Sequence, residues 1–211
     1  AQSSIPSATD LVSFEQASST VISSDGKLTA FVIRKPGPDY LAWEQGIFLM
    51  DNTTAVYTQF TGAGSNNHSP VFSKDSKSLY FLSNRSYRNS SGKNVSGKTA
   101  VWKASLNGGE PSLLTELPRD AEEFVISGDG LTIAILCSGD EEEKSFTSGG
   151  KPIKSDEMVF PLVNPAKWLY FITVADLKVT DGLKLDAGAE RINISPDGNT
   201  VVYQSSTTGE Y

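Results

Sequence analysis

The sequence predicts an all-β fold, a partial β-propeller of four-stranded antiparallel blades with about three and a half blades in this chain. A short line, in which an apolar residue leads through Ser-x-Asp into an alternating apolar strand, occurs four times in the 211 residues. Its aspartates, Asp25, Asp75, Asp129 and Asp197, are spaced 50, 54 and 68 residues apart. A period near 50 residues is typical of propeller blades and is too long for most helical solenoids.

Each copy of the line predicts a hairpin turn followed by a strand. The copies read "SSDGKLTAFVIR", "SKDSKSLYFLSNR", "SGDGLTIAILCS" and "SPDGNTVVYQSS". Asp-Gly supplies the positive φ that a tight turn needs, and the Asp side chain can accept hydrogen bonds from nearby amides. The apolar, β-branched and aromatic residues after the turn favour a strand. Asp75 is followed by Ser76 instead of glycine, so we expect that turn to be looser.

A second strand–turn–strand element lies between successive copies. It reads "QGIFLMDNTTAVYTQFT", "KTAVWKASLNGGEPSLLTEL" and "KWLYFITVADLKVTDGLKL", and Asn107-Gly-Gly is the strongest hairpin signal in the chain. Two hairpins give four antiparallel strands, which is one blade. The predicted blades lie near 15–62, 63–118, 119–186 and 187–211, the last incomplete. Because a closed ring needs roughly four to eight blades, we expect this chain to be the N-terminal part of a longer protein.

Two insertions interrupt the repeat. Residues 84–98 form a polar segment between two hairpins, and residues 138–167 stretch the third spacing. Long loops on a rigid scaffold often carry function. The acidic run from Asp140 to Glu143 suits either a substrate amine or cation, or a plain solvated loop. It lacks the ligand spacing of a calcium loop.

Composition excludes several classes of function. The net charge is −7 and the basic residues are scattered, which disfavours nucleic acid as a partner. No apolar run reaches the length of a membrane span. Cys137 is the only cysteine, so no intrachain disulfide can form, and its apolar surroundings predict a buried side chain.

Six asparagines open an N-x-S/T triplet and are candidates for glycosylation: Asn52, Asn67, Asn84, Asn89, Asn94 and Asn193. Pro196 directly follows the Asn193 triplet and disfavours that site. The excess of triplets predicts a secreted, extracellular glycoprotein carrying N-linked glycans. The small polar residues at the start of the chain are typical of what signal cleavage leaves behind.

Catalytic machinery is not recognisable in these residues. A serine nucleophile needs a base, and His68, the only histidine, lies in an Asn-rich stretch beside a repeat strand, where a structural role is favoured. No G-x-S-x-G elbow is present. One histidine and one cysteine cannot supply a zinc site, and no phosphate or dinucleotide loop occurs, so we predict no metal and no cofactor.

The lines "SSDGKLTAFVIR", "VFSKDSKSLYFLSNR" and "ISPDGNTVVYQS", with "AVWKASLNGGEPSLLT", resemble blades of the prolyl oligopeptidase family, in its acylaminoacyl-peptidase and dipeptidyl-peptidase V branch. The resemblance covers roughly residues 11–208, and TolB-type propellers share the blade signature. It implies that a catalytic α/β-hydrolase domain follows the propeller, outside this chain, and that the propeller admits only short or unfolded peptides to it.

The resemblance also raises the question of which residues contact substrate. Some family members hold the substrate amine with propeller glutamates. The paired glutamates here are Glu122 with Glu123 and the run Glu141 to Glu143, of which Glu142 and Glu143 are the candidates. No catalytic residue can be assigned within this segment.

Three hypotheses follow. The first is the propeller portion of a secreted serine peptidase that gates peptide access to a hydrolase domain. The second is a stand-alone TolB-like or lectin-like propeller that binds a protein or glycan. The third is an unrelated two-sheet sandwich. Peptide specificity, total blade number and oligomeric state are left open by the sequence.

Overall fold

The computed structural model describes residues 14–37, 43–62, 64–139, 147–148, 151–152 and 166–205. Every regular element in these ranges is a strand, and the main sheets are antiparallel. No helix that could cross a membrane is found in the part of the chain that is described. The chain divides into two compact units, residues 1–116 and 117–211.

The first sheet holds four strands in sequential order: β1 (Gln16–Ile22), β2 (Leu28–Pro36), β3 (Trp43–Asp51) and β4 (Tyr57–Gln59). The repeat turn at Asp25 joins β1 to β2. The Asp51 carboxylate accepts from the amides of Thr53 and Thr54, at 2.7 and 3.1 Å, and closes the turn between β3 and β4.

The second sheet repeats this order with β5 (Asn67–Phe72), β6 (Ser78–Ser83), β9 (Ala100–Ser105) and β10 (Ser112–Leu113). The Asn107-Gly-Gly signal lies in the six-residue connection between β9 and β10, where Gly108 and Gly109 have φ of 97° and 104°. The predicted insertion 84–98 contains a small hairpin of its own, β7 (Tyr87–Arg88) paired with β8 (Asn94–Val95).

The first two sheets share one apolar core in unit 1. It is built from residues of β2, β3, β5, β6 and β9, which alternate along β2, β6 and β9 because successive side chains of a strand point to opposite faces. Its buried members are Ala30, Val32, Ile47, Phe72, Leu79, Phe81, Ala100, Trp102 and Ala104.

The third sheet, in unit 2, contains β11 (Ala121–Ile126), β12 (Thr132–Cys137), β15 (Ala166–Thr173) and β16 (Lys178–Val179), and β17 (Leu183–Ala187) also pairs with β15. The outer strand is therefore split, whereas the sequence predicted four continuous strands. Of the predicted insertion 138–167, the described residues include a two-stranded pair, β13 (Thr147–Ser148) and β14 (Lys151–Pro152).

The last sheet consists of β18 (Ala189–Ile194) and β19 (Val201–Ser205). Ala189 and Ile192 of β18 pack with Ala134, Leu136 and Leu169 of the third sheet and form the core of unit 2.

The first strand of each of the four sheets that contain a repeat turn carries a β-bulge that the sequence did not predict. The register shifts by one residue between Ser18 and Val21, His68 and Val71, Ala121 and Glu123, and Glu190 and Asn193. Three of the bulges hold a non-glycine residue with φ near +53°: Ser19, Ser69 and Arg191. Each of these three lies six residues before its turn aspartate.

Candidate functional site

The four repeat turns are closed by one common set of hydrogen bonds. In the first, the Ser23 hydroxyl donates to Asp25 Oδ1 at 2.7 Å and accepts from the Leu28 amide at 2.9 Å. Asp25 Oδ1 also accepts from the Lys27 amide at 3.1 Å. The serine-to-aspartate distance is 2.6, 2.5 and 2.6 Å at Asp75, Asp129 and Asp197. All four aspartates are therefore engaged in holding their turns.

The turn at Asp75 is as well bonded as the others, so the expectation that it is looser was wrong. Ser76 adopts φ of 55°, close to the 72°, 77° and 73° of Gly26, Gly130 and Gly198. Its amide donates to Ser73 O at 2.9 Å, as the Gly26 amide does to Ser23 O. The serine therefore carries a left-handed conformation that costs more for a residue with a Cβ.

These bonds lower the pKa of the turn carboxyls. The serine hydroxyl is the largest cause for Asp25 and Asp75, followed by the backbone amide two residues on. Asp197 also accepts from the Asn199 side chain at 3.0 Å, and its pKa falls to about 2. Hydrogen bonds to a carboxylate favour the charged form, so the three groups are ionised at neutral pH.

Asn67 is buried and is a structural residue. It is 0 % exposed; its Nδ2 donates to Ser65 O at 2.9 Å, and its Oδ1 accepts from Arg85 Nη2 at 3.0 Å. A glycan attached to Nδ2 is incompatible with this arrangement, which corrects the candidate site predicted at Asn67.

The other triplet asparagines differ in how their amides are used. Asn52 is exposed, but its Nδ2 donates to Gly26 O at 2.8 Å and its Oδ1 accepts from Thr29. Asn84 Oδ1 accepts from the Asn66 amide, and Asn89 Oδ1 accepts from the Lys93 amide and the Ser91 hydroxyl. Asn94 and Asn193 are exposed.

Of the paired glutamates, the structure describes Glu122 and Glu123. Glu122 forms an ion pair with Lys167 Nζ at 2.5 Å, and Glu123 accepts from the Ile192 amide at 3.3 Å. Both are occupied within unit 2, so neither is aimed at a substrate amine. Glu141 to Glu143, including the candidates Glu142 and Glu143, lie outside the described residues.

His68 and Cys137 have no catalytic setting. His68 is the second residue of β5; its Nδ1 is 3.0 Å from the Ser69 hydroxyl, and burial lowers its pKa. Cys137 is wholly buried on β12, as predicted from its sequence. Among the described residues, no three His, Cys, Asp or Glu side chains are grouped to hold a metal ion.

A polar cleft lies at the end of the first two sheets opposite the aspartate turns. We call it the rim cleft. It has a volume of ≈ 270 Å³ and is lined by Glu15, Ile33, Lys35, Trp43, Glu44, Gln45, Gly46, Phe48, Gln59, Gly64, Ser65, Asn66 and Asn84. Trp43 is 41 % exposed, and the Arg34 guanidinium covers one face of its ring at 4.5 Å.

Among the described residues, no ion pair neutralises the charges of the rim cleft. Lys35 and Glu44 occupy opposite positions on β2 and β3, yet within the described ranges no ion pair joins them, and none involves Glu15. Two carboxylates, one ammonium, several carboxamides and an exposed indole suit binding of a polar chain. No nucleophile–base pair lies among the lining residues.

Sequence reasoning missed the rim cleft. Its residues come from the start of β1, both ends of the β2–β3 connection and the segments around Ser65 and Asn84. The one available signal was the Trp43-Glu44 pair, an aromatic beside a charge at the start of a strand.

No protein-family model and no curated protein sequence matches the chain. Solved structures do match it, 108 chains in number. Pyrococcus horikoshii acylaminoacyl peptidase matches with TM-score 0.59 and 14% identity, over 86% of this chain and 27% of that one. The β-propeller domain of the Trilobed protease from Pyrococcus furiosus matches with TM-score 0.58 and 13% identity, over 94% of this chain and 52% of that one.

A protein assigned as TolB from Agrobacterium tumefaciens matches with TM-score 0.53 and 19% identity, over 88% of this chain and 57% of that one. The chain thus spans between about a quarter and just over half of the length of these three structures. Identities below 20% speak for fold only. Successive four-stranded antiparallel sheets and these matches exclude the two-sheet sandwich, and they identify this chain as having the β-propeller fold of peptidase and TolB-type propeller domains.

Proposed function

We propose that this chain is the propeller portion of a secreted serine-type peptidase of the dipeptidyl or acylaminoacyl class, and that it gates peptide access to a hydrolase domain on the same polypeptide. The observation that carries the proposal is the fourfold Ser-x-Asp blade in a chain that is similar to an acylaminoacyl peptidase and to a protease propeller domain.

The rim cleft is the surface we assign to peptide contact. Glu15, Glu44 and Lys35 offer both signs of charge and form no ion pair with any residue that the structure describes, and Trp43 offers an exposed ring. Such a lining can accept peptides of mixed sequence, because its carboxylates can bind basic groups and its ammonium can bind acidic groups. We keep the acidic run that contains Glu142 and Glu143 as a second proposed contact, for a substrate amine.

The test starts from the natural protein. Antibodies raised against this chain should precipitate a polypeptide well above 22.6 kDa that a fluorophosphonate probe labels covalently. The same precipitate should hydrolyse dipeptidyl or N-acylaminoacyl p-nitroanilides. An unlabelled protein without hydrolysis would overturn the proposal.

A stand-alone TolB-like or lectin-like propeller that binds a protein or glycan is the second candidate. The match to the TolB chain favours it, because it covers a larger share of that structure than of the other two. It predicts an unlabelled natural protein of less than about 350 residues that binds a macromolecule, which the same precipitation detects.

Secretion and N-glycosylation are part of the proposal. Asn94 is the best site, because it is exposed and β8 presents it on the small hairpin of residues 87–95. Deglycosylation with an amidase in heavy-oxygen water should label Asn94 and leave Asn67 unlabelled. A natural protein with no glycan at Asn94 would contradict this part.

A further inference from the structure

A second groove in unit 1, which shares Gln59 and Ser65 with the rim cleft, is organised around Arg85. It has a volume of ≈ 500 Å³ and lies between the segment that follows β4 and the connection from β9 to β10. Phe60, Ala104, Leu106 and Pro111 supply apolar walls, and Arg85 and Glu110 supply the charges. A volume of this order accommodates a small organic ligand.

The Arg85 guanidinium is fixed in place by its neighbours. Nε donates to the Ser83 hydroxyl at 3.2 Å, and Nη2 donates to Asn67 Oδ1 at 3.0 Å. Its Cζ lies 5.3 Å from the ring centre of Phe81 and 5.0 Å from that of Trp102. Neutral acceptors and aromatic faces orient the group without cancelling its charge, which resembles the preorganisation of anion-binding arginines.

The charge of Arg85 has no counter-ion at contact distance. Within the described residues no carboxylate lies within 4 Å of the group, and Nη1 has no acceptor. Burial lowers the pKa of Arg85, while Glu110 acts from a greater distance to raise it. An ion that is partly removed from water and has no partner is costly, and an anionic ligand would offset that cost.

A second donor lies beside it. Trp102 is 5 % exposed, and its Nε1 has no acceptor in the described part of the chain. Buried donors without acceptors are uncommon. The indole lies against the Arg85 guanidinium but does not line the groove, so Arg85 is the donor that faces a ligand there.

We propose that the Arg85 groove binds a small organic carboxylate, with Nη1 of Arg85 donating to its oxygens and its apolar part against Phe60, Leu106 and Pro111. A monoanion fits better than a phosphate dianion, because the groove has one cation and Glu110 repels additional negative charge. The carboxylate can be a peptide C-terminus or an acidic side chain. The proposal does not depend on peptidase function.

The test compares three probes on the full-length natural protein by saturation-transfer NMR. N-acetyl-L-leucine carries a terminal carboxylate, N-acetyl-L-aspartic acid α-methylamide carries a side-chain carboxylate, and N-acetyl-L-leucinamide carries none. At least one acid should bind about tenfold more tightly than the amide, since hydrogen bonds to charged groups contribute more than neutral ones. The tighter acid identifies the source of the carboxylate. Equal binding of all three probes, or no binding, would overturn the proposal.

Variants locate the binding. Arg85→Gln should abolish the preference for the acid, and Arg88→Gln, an exposed arginine on β7, should leave it unchanged. Glu110→Gln should tighten acid binding about twofold to fivefold, because it removes a solvent-exposed repulsion. Melting temperatures check folding. Should Arg85→Gln fail to fold, Arg85→Lys and Glu110→Gln decide: unchanged acid binding in both would refute the site.

Discussion

A single serine hydroxyl links both sides of each repeat turn. It donates to the aspartate carboxylate and accepts from the backbone amide five residues on, so one side chain provides hydrogen bonds to both groups. The aspartate then needs to reach only one further amide. The serine–aspartate bonds lie within about six residues, so this part of the turn is specified locally. Bonds to other segments add to it, such as that from the Asp129 amide to Pro196 O at 2.9 Å.

Ser76 is the position where this turn carries strain. Ser76→Gly should stabilise the protein by about 0.5 kcal/mol, because glycine adopts φ of 55° without a Cβ penalty, and the gain is limited by glycine's flexibility in the unfolded chain. The weak bond from the Asp25 amide to Ser76 Oγ, at 3.3 Å, is lost. Urea unfolding measures the change.

Gly26→Ser is the matched reverse change. No atom lies within 4 Å of the Cβ it would add, so the cost of about 1 kcal/mol is conformational. If both variants unfold at the same urea concentration as the parent, the left-handed residue does not limit the stability of these turns.

Asn67 is the residue whose removal should cost most among the asparagines. Asn67→Ala removes the acceptor of Arg85 Nη2 and the donor to Ser65 O in a buried position. We expect a loss of about 2 kcal/mol or more in the free energy of unfolding. Asn66→Ala, at the exposed neighbouring position, should change it by less than about 0.5 kcal/mol. Equal effects of the two variants would contradict the structural role of Asn67.

Among elements, the split outer strand of the third sheet is the clearest departure from a regular blade. β16 and β17 pair with opposite ends of β15, and residues 180–182 separate them. Gly182 lies against the Tyr170 ring, and the Tyr170 hydroxyl accepts from Arg119 at 2.9 Å. The interruption makes room for a ring that Arg119 holds in place.

Gly182→Ala tests this explanation. Its Cβ would lie 2.7 Å from Cζ of Tyr170. The ring cannot move away without breaking the hydrogen bond from Arg119 to the Tyr170 hydroxyl. We expect a loss of about 1 to 3 kcal/mol, the usual cost of overpacking. Gly62→Ala is the control, because nothing lies within 4 Å of its added Cβ. Thermal unfolding of both variants gives the comparison, and a neutral Gly182→Ala would refute the explanation.

Elements that the sequence predicted are those with a local chemical signature. Asp-Gly turns and alternating strands are encoded within about ten residues, so the hairpins and their pairing followed directly. The bulges at Ser19, Ser69 and Arg191 were missed, because serine and arginine carry no signal for positive φ. The split at residues 180–182 depends on a ring from another strand, which no local pattern reports.

At the scale of the whole molecule, the turn carboxyls link stability to pH. Asp25 and Asp75 have lowered pKa values, and Asp197 has a pKa of about 2 against an ordinary value of 3.8. The unfolded chain therefore binds more protons than the folded chain in acid, so stability rises with pH there. The contribution is complete above about pH 5 and is lost as the pH falls towards 2.

Acid unfolding measures this linkage. The urea midpoint of the parent protein should fall between pH 5 and pH 2.5, and Asp197→Asn should reduce the fall because its side chain cannot be protonated in that range. Asp186→Asn changes an exposed aspartate outside the repeat turns and should leave the pH dependence as in the parent. An identical fall in both variants would exclude Asp197 as a source.

Sites, in contrast with the fold, were poorly predicted at this scale. The rim cleft and the Arg85 groove each combine residues from two sheets, such as Gln59 with Asn84 and Phe60 with Arg85. Such pairs are distant in sequence, so spacing could not bring them together. The N-x-S/T triplets led to a site being predicted where there is none, because a triplet carries no information on burial and Asn67 is buried.

The local bonding between serine and aspartate in each bend has an evolutionary consequence. A gene duplication that adds one unit also adds a complete serine–aspartate bond set, and single bonds such as that from the Asp25 amide to Ser76 Oγ are what a deletion would interrupt. Copy number can thus drift while each unit stays foldable, and selection is left to act on the segments in between.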